Sequence, residues 1–135
     1  MGSATSLCGA RVYRLGGLLE LDGRLSWAPP EARGWQPANC YLILGSDGAV
    51  LIDTGVRLHA SEIIQQLNSV LPNDLPLSIV LTRTEMDCCL NIPMIEAAHT
   101  VRTVIYTGGI TVPRARAEVR RVNVEEGQTL ELEAP

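Results

Sequence analysis

Asn39-Cys-Tyr-Leu-Ile-Leu-Gly-Ser-Asp-Gly-Ala-Val-Leu-Ile-Asp-Thr-Gly55 is the stretch that decides how this chain folds. Two apolar runs, Cys40 to Leu44 and Ala49 to Ile52, flank Gly45-Ser-Asp-Gly48, a cluster of turn residues, so they predict a hairpin buried on both faces. Asp53-Thr-Gly55 follows the second run directly. Ligands of open α/β sheets sit beyond the carboxyl ends of strands, which makes this turn a place to look for chemistry.

Downstream, residues 59 to 71 switch to helical spacing, with Ile63, Ile64, Leu67, Val70 and Leu71 on one face. Ser61 is placed to cap that helix, Glu62 lies in its first turn, and Pro72 ends it. Leu77 to Leu81 reads as another buried strand, ending at the polar loop Thr82-Arg-Thr-Glu-Met-Asp-Cys-Cys89, and a short helix follows with Pro93 in its first turn. Val101 to Tyr106 predicts a further strand. Val119 to Val124, a turn at Glu125 to Gln128 and the alternating Thr129 to Leu132 predict a closing hairpin. Upstream, Gly16, Gly17, Asp22 and Gly23 punctuate residues 10 to 25 as short edge strands joined by tight turns. Residues 28 to 38 carry Pro29, Pro30 and Pro37 and read as a proline-rich loop, excluded from a helix interior or a central strand. The order predicts an α/β (or α+β) fold, a mixed sheet with helices on one face.

At 135 residues the chain is expected to form a single domain over 1–135. Its 46% apolar content places it with globular proteins. The net charge of -4, with 11 arginines against 15 acids, argues against nucleic acid or an anionic membrane as partner. No apolar run approaches the ~20 residues that span a bilayer, and no export signal is readable, so a cytoplasmic location is expected. The cysteines at 8, 40, 88 and 89 fit no zinc-ribbon spacing and are expected to be reduced.

Asn39-Cys-Tyr-Leu-Ile, Val50-Leu-Ile-Asp-Thr-Gly55, a helix, then Ile79-Val-Leu-Thr82 and a dense polar loop resemble the metallo-β-lactamase superfamily. The resemblance covers roughly residues 38 to 110 and continues more weakly through Glu126 to Leu132. It implies half of an αββα sandwich, the N-terminal half, with one sheet face left uncovered. That face in turn implies a homodimer or a second half supplied elsewhere. Members of the superfamily read Thr-His-x-His-x-Asp-His in this loop and hold zinc or iron there. Here the loop reads Thr82-Arg83-Thr84-Glu85-Met86-Asp87-Cys88, nearest to the flavodiiron version His-x-Glu-x-Asp. By that resemblance Glu85, Asp87 and Cys88 are the candidate ligands for iron or zinc, while Asp53, Thr54, Gly55, Thr82 and Arg83 frame them.

Positions 83, 85 and 87 would converge on one ion if the loop were extended. Arg83, however, is a permanent cation with no lone pair to donate. Glu85 and Asp87 serve equally well without metal, by pairing with Arg83 and capping the next helix. Asp53 acts as a brace in either case. Cys88 beside Arg83 would have a lowered thiol pKa and could act as a nucleophile, or be simply a small buried residue. His59 and His99 read as helix-end residues, His99 where a cation is favoured. Arg114, Arg116, Arg120 and Arg121, interleaved with Glu118, Glu125 and Glu126, read as a solvated face. Trp27 and Trp35 either line a pocket mouth or anchor the proline-rich loop. The favoured reading is a protein with a degenerate metal site, inactive alone and acting as scaffold or binding module. The alternative is a metal-dependent hydrolase or flavodiiron-like oxidoreductase with an altered Glu/Asp/Cys centre.

Overall fold

A computed structural model describes residues 2–108, 112, 113, 116 and 118–131. The hairpin expected around Gly45 to Gly48 is present, between β3 (Gly34–Leu44) and β4 (Ala49–Ile52). It lies at the centre of a seven-stranded sheet whose spatial order is the chain order. β1 (Thr5–Cys8), β2 (Val12–Leu21), β3 and β4 run antiparallel, whereas β4, β5 (Leu77–Val80), β6 (Val101–Tyr106) and β7 (Arg120–Asn123) are parallel. The parallel half requires crossovers, and α1 (Ala60–Val70) and α2 (Ile92–Ala98) supply those from β4 to β5 and from β5 to β6.

Both helices cover one face. Leu42, Leu51, Ile79 and Val104 lie side by side across four strands, all fully buried against Ile63, Leu67, Ile92 and Ile95. Alternation sends their neighbours to the other face, where Ile43, Val50, Ser78, Thr103 and Arg120 form one row. Tyr41, Ile52, Val80, Ile105 and Val122 form the next row. Tyr41 and Ile43 there are 37% and 39% exposed, values foreign to a finished core.

Four sequence expectations are corrected. Residues 12–21 form one ten-residue strand rather than short pieces, with Gly16 and Gly17 inside it. Gly16 holds φ at 94°, and a Cβ there would stand 2.3 Å from the Ala38 carbonyl oxygen, so only glycine fits. Buried Gln66 of α1 completes the kink: its side chain accepts from the Gly16 N–H at 2.8 Å and donates to the Gly16 and Gly2 carbonyls at 3.1 and 2.8 Å.

The proline-rich loop is likewise shorter than predicted, because Gly34 to Ala38 belongs to β3 and Pro37 pairs with Leu18. β4 stops at Ile52 opposite Tyr41, so this part of β3 has a neighbour on one side only, where proline is tolerated. The β2–β3 ribbon therefore overhangs the carboxyl ends of the parallel strands. Ser61 does not cap α1; a 3-10 turn at Arg57–His59 leads into the helix instead. Finally, Thr129 to Glu131 form no strand, since β7 pairs in parallel with β6 and alternation alone supplies no partner; Leu132 lies outside the described residues.

Candidate functional site

Two loops meet beneath the overhanging ribbon. The first is the turn after β4, where Asp53 and Gly55 hold φ values of 61° and 72° with Thr54 between them. Gly55 lies so close to α1 that a Cβ would fall 2.5 Å from the Ile63 side chain. The second is the loop after β5, Thr82 to Cys89. Asp53 joins the two: its carboxylate accepts from the Thr82 N–H at 2.8 Å and from the Thr82 hydroxyl at 2.7 Å. Thr54, fully buried, donates its N–H and its hydroxyl to the Cys88 carbonyl at 2.7 and 2.6 Å. Asp53, Thr54 and Thr82 thus join the two loops.

Asn91 was missed. It is 1% exposed, and its side-chain amide donates to the Thr54 and Val56 carbonyls at 2.8 and 2.9 Å, with the Gly55 carbonyl at 3.3 Å. An asparagine just before Ile92-Pro93 reads as a helix cap, and it occupies that position, but its side chain clamps the Asp-Thr-Gly turn instead. Nothing local in the sequence signals a bond spanning 35 residues.

The second loop is wrapped rather than extended. The Cys88 and Cys89 N–H groups both donate to the Glu85 carbonyl, at 3.0 and 3.2 Å, so alternate residues do not share a side. Arg83 is paired with Asp87 across one turn. The Glu85 side chain is exposed and neither joins that pair nor caps α2. Cys88 is buried, its thiol 3.5 Å from Asp87 and 3.9 Å from the Thr82 hydroxyl. Burial pushes that thiol up to about 11, with Asp53 and Asp87 adding to the rise and outweighing the lowering by Arg83. Of the two readings of Cys88, the small buried residue fits this placement. Cys40, beneath the same turn, is pushed up to about 12 by burial, with Asp53 contributing.

Among the described residues no three His, Cys, Asp or Glu side chains come together to hold a metal ion. Of the three candidate ligands, Glu85 is exposed, Asp87 is paired with Arg83 and Cys88 is buried.

His59 sits at a helix end as expected, the N-cap of α1, where it is buried with one ring nitrogen 3.2 Å from the Leu18 carbonyl. His99 ends α2 as expected, but burial lowers its pKa and disfavours the cationic form. Arg121 is not on a solvated face; it pairs with fully buried Glu96 of α2 at 2.5 Å, and Glu96 also accepts the Arg116 N–H at 3.1 Å. Arg114 lies outside the described residues.

Beside the second loop, under the ribbon, is a cleft of about 250 Å³. Leu19, Pro37 and Val56 form its apolar lining, Trp27 and Tyr41 its aromatic walls, and Asp87 is the charged residue lining it. Gln36 holds the Trp27 indole N–H at 3.2 Å. Trp27 thus lines a pocket mouth, whereas Trp35 stands 63% exposed on β3.

No family model and no curated protein matches this sequence. Solved structures do. The flavodiiron protein from Giardia intestinalis superposes with a TM-score of 0.69 at 15% identity, covering 98% of this chain and 32% of that one. The subclass B3 metallo-β-lactamase MEM-A1, from a soil metagenome library, matches with a TM-score of 0.63 at 17% identity, covering 97% of this chain and 49% of that one. The chain has the metallo-β-lactamase-superfamily fold. A Cronobacter sakazakii metallo-β-lactamase described by its HARLDQ motif matches at 0.54 and 19% identity over 70% of this chain and 42% of its own. This chain therefore spans less than half the length of each of these three structures. Among the described residues no helix is long and apolar enough to cross a membrane.

Proposed function

We propose that this chain is a metallo-β-lactamase-fold domain whose metal loop has become a metal-free structural element, inactive alone and serving as scaffold or binding module. The observation that carries this reading is Arg83 itself: a guanidinium with no lone pair to donate stands where the loop's first ligand belongs and pairs with one oxygen of Asp87. Departure from the usual loop has a parallel in the HARLDQ protein, whose motif shares with Arg83-Thr-Glu-Met-Asp-Cys88 only the aspartate in fifth place. The test is metal analysis of protein purified without a histidine tag and then incubated with zinc or ferrous iron. Less than a tenth of an equivalent is expected to remain after desalting, on the order of a non-specific background. Stoichiometric metal, lost in Glu85→Ala and Asp87→Ala, would overturn the reading. It would favour instead a metal-dependent hydrolase or flavodiiron-like oxidoreductase, for which the Glu85-x-Asp87 spacing and the flavodiiron superposition speak.

The reading extends to the open sheet face. A surface carrying Tyr41, Ile43, Val50, Ile52 and Val80 calls for a covering layer, either a second copy of the chain or a second half supplied by further polypeptide. Light scattering separates them: a dimer mass supports the second copy, and a monomer that binds an apolar dye supports the other.

A further inference from the structure

We infer that the cleft beneath the β2–β3 ribbon binds a small organic cation, its flat apolar body between Trp27 and Tyr41 and its charged end at Asp87. This rests on the metal-free reading of Asp87 and goes beyond it by naming the class of ligand. The cleft, at about 250 Å³, is slightly smaller than the ~300 Å³ at which sites for drug-sized ligands begin, so a single ring with a polar head suits it. Its floor is dry, with Leu19 and Val56 each 5% exposed.

The walls select charge. Indole and phenol faces attract cations, and the lining residues include one carboxylate and no basic side chain. An anion would meet Asp87 without compensation, and a neutral ring would gain apolar contact alone. Asp87 also has capacity to spare. Arg83 bonds one of its oxygens, while among the described residues the other has only the Cys88 thiol at 3.5 Å, a weak donor. Arg83 itself is 60% exposed and outside the cleft lining, so its pair with Asp87 is of the screened, surface kind that a better-placed cation can replace. The Asn39 and Tyr41 side chains line the same cleft and have no hydrogen-bond partner among the described residues, leaving polar ends for the ligand head.

Benzamidine, benzamide and benzoate share one ring and differ in charge, and calorimetric or saturation-transfer titration of the intact chain with all three tests the inference. Benzamidine is expected to bind about tenfold more tightly than benzamide, with benzoate not detected. Arg83→Ala should strengthen benzamidine binding several-fold by removing the competing cation. Asp87→Asn should bring benzamidine down to the benzamide level, and Trp27→Ala should weaken both. Equal binding of the three probes, or no binding of benzamidine, would overturn the inference, as would an unchanged affinity in Arg83→Ala. Each titration is repeated with chelator and with one equivalent of zinc. Benzamidine displaced by zinc would show Asp87 to be a metal ligand and refute the metal-free reading, whereas benzamidine silent in both conditions refutes the cation site and leaves that reading intact.

Discussion

Replacing Asp53 probes the joint between the two loops. Its carboxylate accepts two hydrogen bonds from Thr82, at 2.8 and 2.7 Å, and its backbone lies in the left-handed region at φ 61°. At this solvent-accessible position each bond is worth about 1 kcal/mol, the middle of the range for single hydrogen bonds. Alanine in the left-handed region adds about 1 kcal/mol, because it lacks the local bonding that lets Asp and Asn reside there. Asp53→Ala should therefore cost about 3 kcal/mol, and Asp53→Gly, which removes the strain but not the loss of bonds, about 2 kcal/mol. Asp53→Asn keeps an acceptor for the Thr82 N–H and offers a donor to its hydroxyl, so it should cost about 1 kcal/mol or less. Urea unfolding followed by circular dichroism gives these differences as midpoint shifts at constant slope. A cycle with Thr82→Val should show a coupling of about 1–2 kcal/mol, unchanged by chelator. If Ala and Asn variants agree within about 0.5 kcal/mol, the brace does not act as described.

Three other outcomes are expected. Gln66→Leu leaves the Gly16 N–H and carbonyl without their side-chain partners and should cost about 2–4 kcal/mol in the same unfolding assay; a loss below about 1 kcal/mol contradicts the role given to Gln66. Arg121→Ala removes the guanidinium paired with the fully buried Glu96 and should cost about 3–5 kcal/mol, while Arg121→Met with Glu96→Gln should recover part of it; a double variant whose loss equals the sum of its two single variants would contradict the pairing. Cys40 and Cys88, whose ordinary value is near 9.0, stay protonated in the folded chain to about 12 and about 11. Above pH 9 the folded state thus holds protons that the unfolded state has lost. Their contribution is complete below that pH and declines as pH rises, by about 1.4 kcal/mol per pH unit for each thiol. Cys40→Val should remove its share of the alkaline slope between pH 9 and 11, and an unaltered slope would count against the assignment.

Much of the fold was legible because burial imposes a period. The run from Asn39 to Gly55, the apolar Leu77 to Leu81 and the stripe along α1 each had to meet a core, and their patterns declared which face would do so. The β2–β3 ribbon was misread for a physical reason. Gly16, Gly17 and Pro37 signal turns wherever the backbone must supply every hydrogen bond itself, and here Gln66, fifty residues away, supplies those of Gly16. The loop Thr82 to Cys89 was legible as altered, since Arg83 cannot ligate a metal in any conformation. Which of its acids stays with Arg83 was not, because the wrap around the Glu85 carbonyl breaks the alternation on which spacing arguments depend.

Sequence alone thus determined the mixed sheet and the helices on one face, both consequences of side-chain chemistry and local period. Tertiary structure alone decided that Asp87 is taken by Arg83, that Cys88 is buried and protonated, that Asn91 holds the Asp-Thr-Gly turn, and that Trp27 and Tyr41 face one cleft. Each of these depends on distances between segments far apart in the chain, and a one-dimensional pattern carries no information about such distances until the core has set them.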